Sequence, residues 1–489
     1  MVSLNSDHSN FIHTPHRTIT MPKYRATWDS LSQYSMPTWL REAKFGIYTH
    51  WGPYTVPAYG SNGTWYGKHM YCPDQPEYRH HLKNYGESQK FGYKDLIPQL
   101  TAEKFDAEEW AQLFKDAGAK FAGPVAVHHD NFAMWDSAVN PWNSSKMGPK
   151  RDVTRELEKA IKGMDMKFIT TFHHNYNWWF FPKDEAFDTL DPASEVLYSR
   201  RKKDGDLPDE KYLRDWYDQI IEVIDNYDPD MLWFDFGLGK IPERYRKNFL
   251  AYYYNKAEES GKDVTVAFKN FNLSANTGLF DLEVGKMNNL TPNTWLSDTC
   301  VDAGPRGCWS HVRGIGYKSS ERLIHNLIDR VSKNGYLLLN VGPRADGSIP
   351  QPAQDCLLEM GKWLAINGEA IYGTVPWLYF GEGPTKSDGG SHFNEDNEPR
   401  FTSHDLRYTT SGDNVYVTAL GRPGELLTCS KLAACNQLHP SDILKVDMLG
   451  GDGNSLKFWI DEDGLKIEVP EVVPSTIAVS FRITTRSGL

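Results

Sequence analysis

At 489 residues the chain exceeds one typical domain, so a large domain with a smaller companion is expected, with a core that needs no disulfide or metal staple. The net charge of −11, from 53 Lys+Arg against 64 Asp+Glu, comes without basic runs, which argues against nucleic acid or an anionic membrane as partner. No apolar stretch approaches the ~20 residues of a membrane span, and "MVSLNSDHSNFIHTPHRT" at the start does not read as a signal peptide, so the compartment stays open.

Short apolar runs recur along the chain: "KFGIYTHW" (44–51), "FAGPVAVHH" (121–129), "KFITTFHH" (167–174), "MLWFDF" (231–236), "VTVAFK" (264–269) and "GYLLLNV" (335–341). Each is short and rich in β-branched, aromatic or leucine residues, as strands buried on both faces are. Amphipathic stretches separate them. "TAEKFDAEEWAQLFKDAGAKF" puts Phe105, Trp110, Leu113 and Phe114 on one face, with Thr101 expected as N-cap. "SSERLIHNLIDRVSKNG" is expected to close on Gly335 as the left-handed residue after the helix. Such alternation of strand and helix means a parallel α/β fold.

An open nucleotide-binding sheet lacks its glycine-rich signature here. The strands instead share chemically capable residues at their C-terminal ends: His50, then His128 and His129, then His173 and His174, then Asp235, then Lys269. A (β/α)8-like barrel brings such ends to one mouth, where active sites are assembled, whereas an open sheet spreads them along an edge. The barrel is therefore the expectation for residues 1–373. Beyond it "HDLRYTTSGDNVYVTALGRPGELLTCS", "LKFWIDEDGLKIEVPE" and "TIAVSFRITTR" alternate apolar and polar residues between turn signals, which reads as a C-terminal antiparallel β-sandwich over 374–489. The six cysteines form no zinc spacing, and although Cys300/Cys308 and Cys429/Cys435 could pair, free thiols are expected.

Histidines at strand ends invite a metal-dependent amidohydrolase, but that site wants an HxH pair. Adjacent histidines on a strand point to opposite faces, so metal and cofactor are not expected. A retaining glycosidase needs two carboxyl groups ~5–5.5 Å apart with neutral donors and aromatic walls around them. Asp235, a carboxylate ending an otherwise apolar strand, is costly to bury without a task and is the nucleophile candidate. The aromatic content of 13% suits a sugar-binding cleft, although a large core accounts for it equally well.

"KFGIYTHWGPYTVPAYG", "HHDNFAMWDS", "LWFDFG" and "VSKNGYLLLNVGPRADGSIP", in that order, resemble the signature blocks of glycoside hydrolase family 29, the α-L-fucosidases, over about residues 40 to 350. The resemblance implies a retaining, metal-independent exo-hydrolase with Asp235 as nucleophile and a pocket lined by His50, Trp65, His128 and His129. For both adjacent histidines to serve, the strand must end at the first and turn; Asp130 would then orient them from behind. Glu283, on the loop after the fifth run, is the expected acid/base, with Asp298 as runner-up. His173, Lys269 and Trp295 complete the expected sugar contacts. The chain departs from the family pattern at Thr64, where a glutamate is common, at Val127 in place of lysine, at His173–His174 in place of Tyr-Ser, and at Lys269 in place of arginine. These changes admit an α-L-galactosidase, or a fucosidase for sulfated or algal glycans, on the same site. The expected partner is thus a fucosylated or L-galactosylated glycan, with the oligomeric state open. Loops 72–95 and 208–218 are expected to shape the outer subsites.

Overall fold

Eight parallel strands close into a barrel in chain order: β1 (Phe45–Thr49), β2 (Phe121–Val127), β3 (Lys167–Phe172), β4 (Met231–Phe234), β5 (Thr265–Phe268), β6 (Leu279–Asp281), β7 (Trp295–Cys300) and β8 (Gly335–Val341). β8 returns to β1 with Phe45 opposite Leu337 and Thr49 opposite Val341. This computed structural model describes residues 22–386, 390–395, 400–432 and 440–486. The barrel and the C-terminal antiparallel domain are those expected. Two barrel strands escaped the apolar pattern for physical reasons: β6 is three residues long, and β7 carries Ser297, Asp298 and Thr299 in its middle.

Alternation along the strands sorts the side chains. Tyr48, Phe121, Ile169, Trp233, Leu296 and Leu338 pack together inside the barrel. Their neighbours Ile47, Ala122, Phe168, Leu232 and Leu337 join the core beneath the helices, each burial of an Ile, Leu or Phe contributing ~1.5–3 kcal/mol. Gly46 is required where Phe121 crosses β1, because a Cβ there would lie 2.2 Å from the ring. The covering helices include Ala107–Asp116, Val153–Gly163, Glu210–Tyr227, Glu243–Ser260, Ser320–Ser332 and Gln351–Asn367. Loop segments 72–95 and 208–218 are partly helical, through Pro76–Asn84 and the start of Glu210–Tyr227. No described helix is long and apolar enough to cross a membrane.

Two helix ends differ from expectation. The helix Ala107–Asp116 is capped by Asp106, whose carboxylate accepts from the Glu108 and Glu109 N–H groups, and not by Thr101. A carboxylate beside the first turn also meets the positive end of the helix dipole. After Ser320–Ser332 the left-handed residue is Asn334, at φ 71°, while Gly335 already belongs to β8. Gly335 is needed for space, since a Cβ would come within 2.4 Å of the Trp295 indole.

The C-terminal part of the chain forms a five-stranded antiparallel sheet, from β9 (Val375–Glu382), β10 (Leu406–Ser411), β11 (Asn414–Ala419), β13 (Ile443–Met448) and β16 (Val479–Thr485). A three-stranded sheet of β12 (Leu426–Cys429), β14 (Phe458–Asp461) and β15 (Gly464–Glu468) packs on it through Tyr408, Val417, Leu427, Ile467 and Phe481. Gly412-Asp413 makes the two-residue turn between β10 and β11. Cys300, Cys308 and Cys429 are free thiols; Cys435 lies outside the described residues.

One segment leaves this domain and returns to the barrel mouth. Ser391 bridges to Lys286, the Phe393 N–H donates to the Glu283 carbonyl at 2.8 Å, and the Glu395 N–H to that of Val284 at 3.0 Å. The buried Glu395 carboxylate anchors it, 2.7 Å from Lys318 Nζ and 3.0 Å from Arg330 Nη2.

Candidate active site

The strand ends converge on a pocket of about 290 Å³ lined by His50, Asn62, Thr64, Trp65, His128, His129, His173, Trp233, Asp235, Phe236, Lys269, Glu283, Asp298 and Trp309. Inward parity delivers most of them. Tyr48 faces inward, so His50 follows it two residues on; Trp233 faces inward, so Asp235 does too. His128 and His129 both reach the pocket through an irregularity. Register between β2 and β3 slips between Val125 and Val127, so two residues of β2 oppose one of β3, and Ala126 and Val127 both pack outward. That bulge re-phases the strand and turns His128 inward. A turn closed by the Asn131 N–H and the His128 carbonyl, 3.0 Å apart, then frees His129 from alternation. Asp130 does not orient either ring: it accepts from Tyr93 Oη at 2.6 Å and the Phe132 N–H at 3.0 Å.

Asp235 sits at the centre, almost wholly buried. Its Oδ1 is 3.2 Å from Lys269 Nζ and its Oδ2 is 3.3 Å from His129 Nε2. His129 Nδ1 donates to the His173 carbonyl at 2.6 Å, which aims the other nitrogen at the carboxylate. Burial alone would raise the Asp235 carboxyl, but the Lys269 ammonium and His129 outweigh it and hold the group well below the usual carboxylate range.

Lys269 also touches Glu283 Oε2 at 2.9 Å and Asp298 Oδ2 at 3.2 Å. One ammonium thus gathers three carboxyl groups, and Asp281 stands behind, accepting from the Asp298 N–H at 3.1 Å. A single positive charge cannot neutralise so many buried carboxylates. Burial, with Asp235 and Asp298 nearby, accordingly pushes Glu283 up to about 7 against the pull of Lys269. Burial and Asp298 likewise drive Asp281 well above its ordinary value. Asp235 Oδ1 and Glu283 Oε2, at 3.2 and 2.9 Å from the same nitrogen, can be no farther apart than about 6.1 Å.

The histidines supply neutral hydrogen-bonding groups. His50 Nδ1 donates to Asn340 Oδ1 at 2.8 Å, leaving Nε2 to accept from His173 Nε2 at 3.2 Å. Burial lowers His50 to about 4, and lowers His128 and His173 well below the ordinary range. Ring nitrogens of His50, His128 and His173 lie within 4.8 Å of one another, so the trio could also hold a metal ion. His174 points the other way, stacked on Trp216 with Nε2 3.3 Å from its carbonyl. The walls are aromatic: Trp65 stacks near Phe236, and Lys269 lies over the Trp233 ring at 4.6 Å.

Of the residues expected from sequence, His50, Trp65, His128, His129, His173, Asp235, Lys269 and Glu283 line this pocket, as does Asp298. Glu283 arrives two residues after β6. Trp295 does not join them. It opens β7 at the opposite end of the barrel, its indole N–H donating to the Lys333 carbonyl at 3.2 Å. Trp233, Trp309, Phe236 and Asn62 were not anticipated. Parity with Asp235 could have found Trp233; Trp309 sits in an irregular loop with no period to betray it. Thr64 donates to Asn62 Oδ1 at 2.7 Å, which leaves the Asn62 amide nitrogen as a donor on the pocket wall.

A closed parallel barrel whose mouth gathers carboxyl groups displaced in opposite directions, Asp235 down and Glu283 up, among histidines and tryptophans is the construction of a glycoside hydrolase. The alpha-L-fucosidase family model matches residues 12–369. Human tissue alpha-L-fucosidase is 32% identical over 476 residues, covering 95% of this chain and 91% of the relative. Human plasma alpha-L-fucosidase is 31% identical over 462 residues, covering 92% and 89%. The crystal structure of Thermotoga maritima alpha-fucosidase in complex with fucose superposes with a TM-score of 0.75 at 29% identity, covering 94% of this chain and all of that one. The chain belongs to the α-L-fucosidase family.

Proposed function

We propose that residues 1–373 form the catalytic domain of a retaining exo-α-L-fucosidase that releases terminal α-L-fucose from glycans by double displacement, with 374–489 as its β-sandwich companion. Asp235 attacks the anomeric carbon while Glu283 gives its proton to the glycosidic oxygen; the covalent glycosyl-enzyme is then hydrolysed by a water that Glu283 deprotonates. The observation that carries this is the shared grip of Lys269. It limits the two carboxyl oxygens to a separation of about 6.1 Å, below the ~6.5–9.5 Å that leaves room for a water in inverting enzymes. Their proton affinities are displaced in opposite directions, Asp235 down and Glu283 up to about 7, as nucleophile and acid require. His50, His128, His129 and His173 hold the sugar hydroxyls, and Trp65 faces the ring.

Asn62 and Thr64 carry a second reading of the substrate. A neutral donor at this wall, where the family commonly has a carboxylate, suits L-galactose, which differs from fucose by one hydroxyl at C6, or a sulfated ring. The test is hydrolysis of aryl α-L-fucoside and aryl α-L-galactoside side by side by the wild type and Asp235→Ala. Fucose release by wild type with a loss of ~10³-fold or more in the variant is expected; preference for the galactoside moves the substrate and keeps the mechanism. Equal activity in Asp235→Ala would refute the nucleophile assignment.

A further inference from the structure

The proton that Glu283 delivers goes to the bond that breaks, so the departing sugar leaves on the side of Glu283. Two chain segments build that side. The loop after β5 passes from Lys269 into Asn270 and Phe271, both in left-handed backbone at φ 56° and 51°. Consecutive non-glycine residues there are uncommon, and a bulky phenylalanine is strained. The strain presents an apolar ring to water: Phe271 is 79% exposed. One face of that ring is covered by Phe280, stacked at 4.4 Å and 12°, and the other is open. Phe280 in turn meets the edge of His392, ring centres 6.1 Å apart. His392 belongs to the returning segment and accepts the Glu283 N–H on Nδ1 at 2.9 Å. A neutral ring that accepts there carries its proton on Nε2, and among the described residues no bond to that nitrogen occurs. The segment is anchored by the buried Glu395 with Lys318 and Arg330.

We propose that Phe271 and His392 form the binding subsite for the leaving group, taking the pyranose ring of a neutral sugar. The apolar C–H face of the ring lies on the open face of Phe271, and His392 Nε2–H donates to one of its hydroxyls. This rests on the glycosidase reading above, because a leaving-group side exists only if Glu283 is the acid. A flat, preorganised aromatic beside a directed donor is the combination by which proteins grip a ring that is apolar on its faces and polar at its rim. Strain and exposure at Phe271, whose one ring contact among the described residues is the stack on Phe280, are accounted for by the same assignment.

The experiment compares α-L-fucosyl disaccharides with α-L-fucosyl fluoride, whose leaving group has no ring. The 1→2, 1→3, 1→4 and 1→6 linked disaccharides are screened, and the one the wild type cleaves best is kept. In Phe271→Ala, an exposed position whose truncation spares the core, the ratio of kcat/KM for disaccharide over fluoride is expected to fall about tenfold, equivalent to ~1.4 kcal/mol. Phe271→Trp, which keeps a flat face, is expected to restore it. An unchanged ratio in Phe271→Ala overturns the subsite, as does a wild type that cleaves the fluoride and no disaccharide; both leave the hydrolase reading standing. A wild type that cleaves neither removes that reading, and the subsite with it.

Discussion

Replacing Lys269 by methionine keeps the length of the side chain and removes the charge on which the site turns. At 3.2 Å and an effective dielectric of ~20 its attraction for Asp235 is about 5 kcal/mol. At ~1.36 kcal/mol per pH unit that bounds the effect near ~4 units, and opposite charges at such range commonly shift a carboxyl by ~1–3 units. With Lys269 gone, burial and the mutual repulsion of Asp235, Glu283 and Asp298 are opposed at Asp235 only by His129 and the Phe236 N–H. The acid limb of kcat/KM, set by ionisation of the nucleophile, is therefore expected to rise by ~2–3 units, and the alkaline limb to rise with it. The assay is a pH profile on an aryl α-L-fucoside: activity in Lys269→Met falls steeply on the acid side and recovers toward alkaline pH. Stability changes in the same sense. Carboxyls whose folded pKa lies above the unfolded value stabilise the variant below ~4 and lose that contribution as pH rises through the folded value, so its Tm falls between acid and neutral pH. A loss of activity by one factor at every pH, with the limbs unmoved, would refute the reasoning and reduce Lys269 to a sugar contact.

Glu283→Gln removes the proposed proton donor while nearly keeping its shape. The alkaline limb near pH 7 is expected to vanish, with disaccharide turnover losing ~10²–10⁴-fold and fucosyl fluoride far less; equal losses on both would reassign the acid, with Asp298 next in line. Removal of divalent metals by a chelator is expected to leave kcat and KM unaltered even though His50, His128 and His173 stand close enough to share an ion. Activity lost to the chelator and restored by Zn²⁺ would return the metal-dependent reading.

The barrel was legible because its strands are buried on both faces and read as apolar runs, with the useful residues at their ends. β7 was hidden because its interior faces Lys269: Asp298 is there to hold a charge, so the strand carries polarity where a core strand has none. The pocket histidines were legible singly, but the slip in β2 that brings His128 and His129 together depends on pairing with β3, which no local pattern records. Trp295 misled for a different reason. The family resemblance implied a sugar contact, yet its place at the start of β7 puts it at the far end, where Gly335 makes room for it. His392 was out of reach altogether, since it touches Glu283 from 109 residues away in sequence.

That last distance has a consequence for synthesis. A chain growing from its N-terminus completes all eight barrel strands by Val341, and with them every wall of the pocket. The segment that clasps Glu283 follows at 390–395, and its sandwich ends only with β16 at Thr485. At ~5–20 residues per second several seconds separate synthesis of the last barrel strand from synthesis of the segment that contacts Glu283. The chain is thus made pocket first and clasp last: Glu283 is in place with the barrel, and a chain released before 390–395 is made lacks the segment that accepts its backbone N–H.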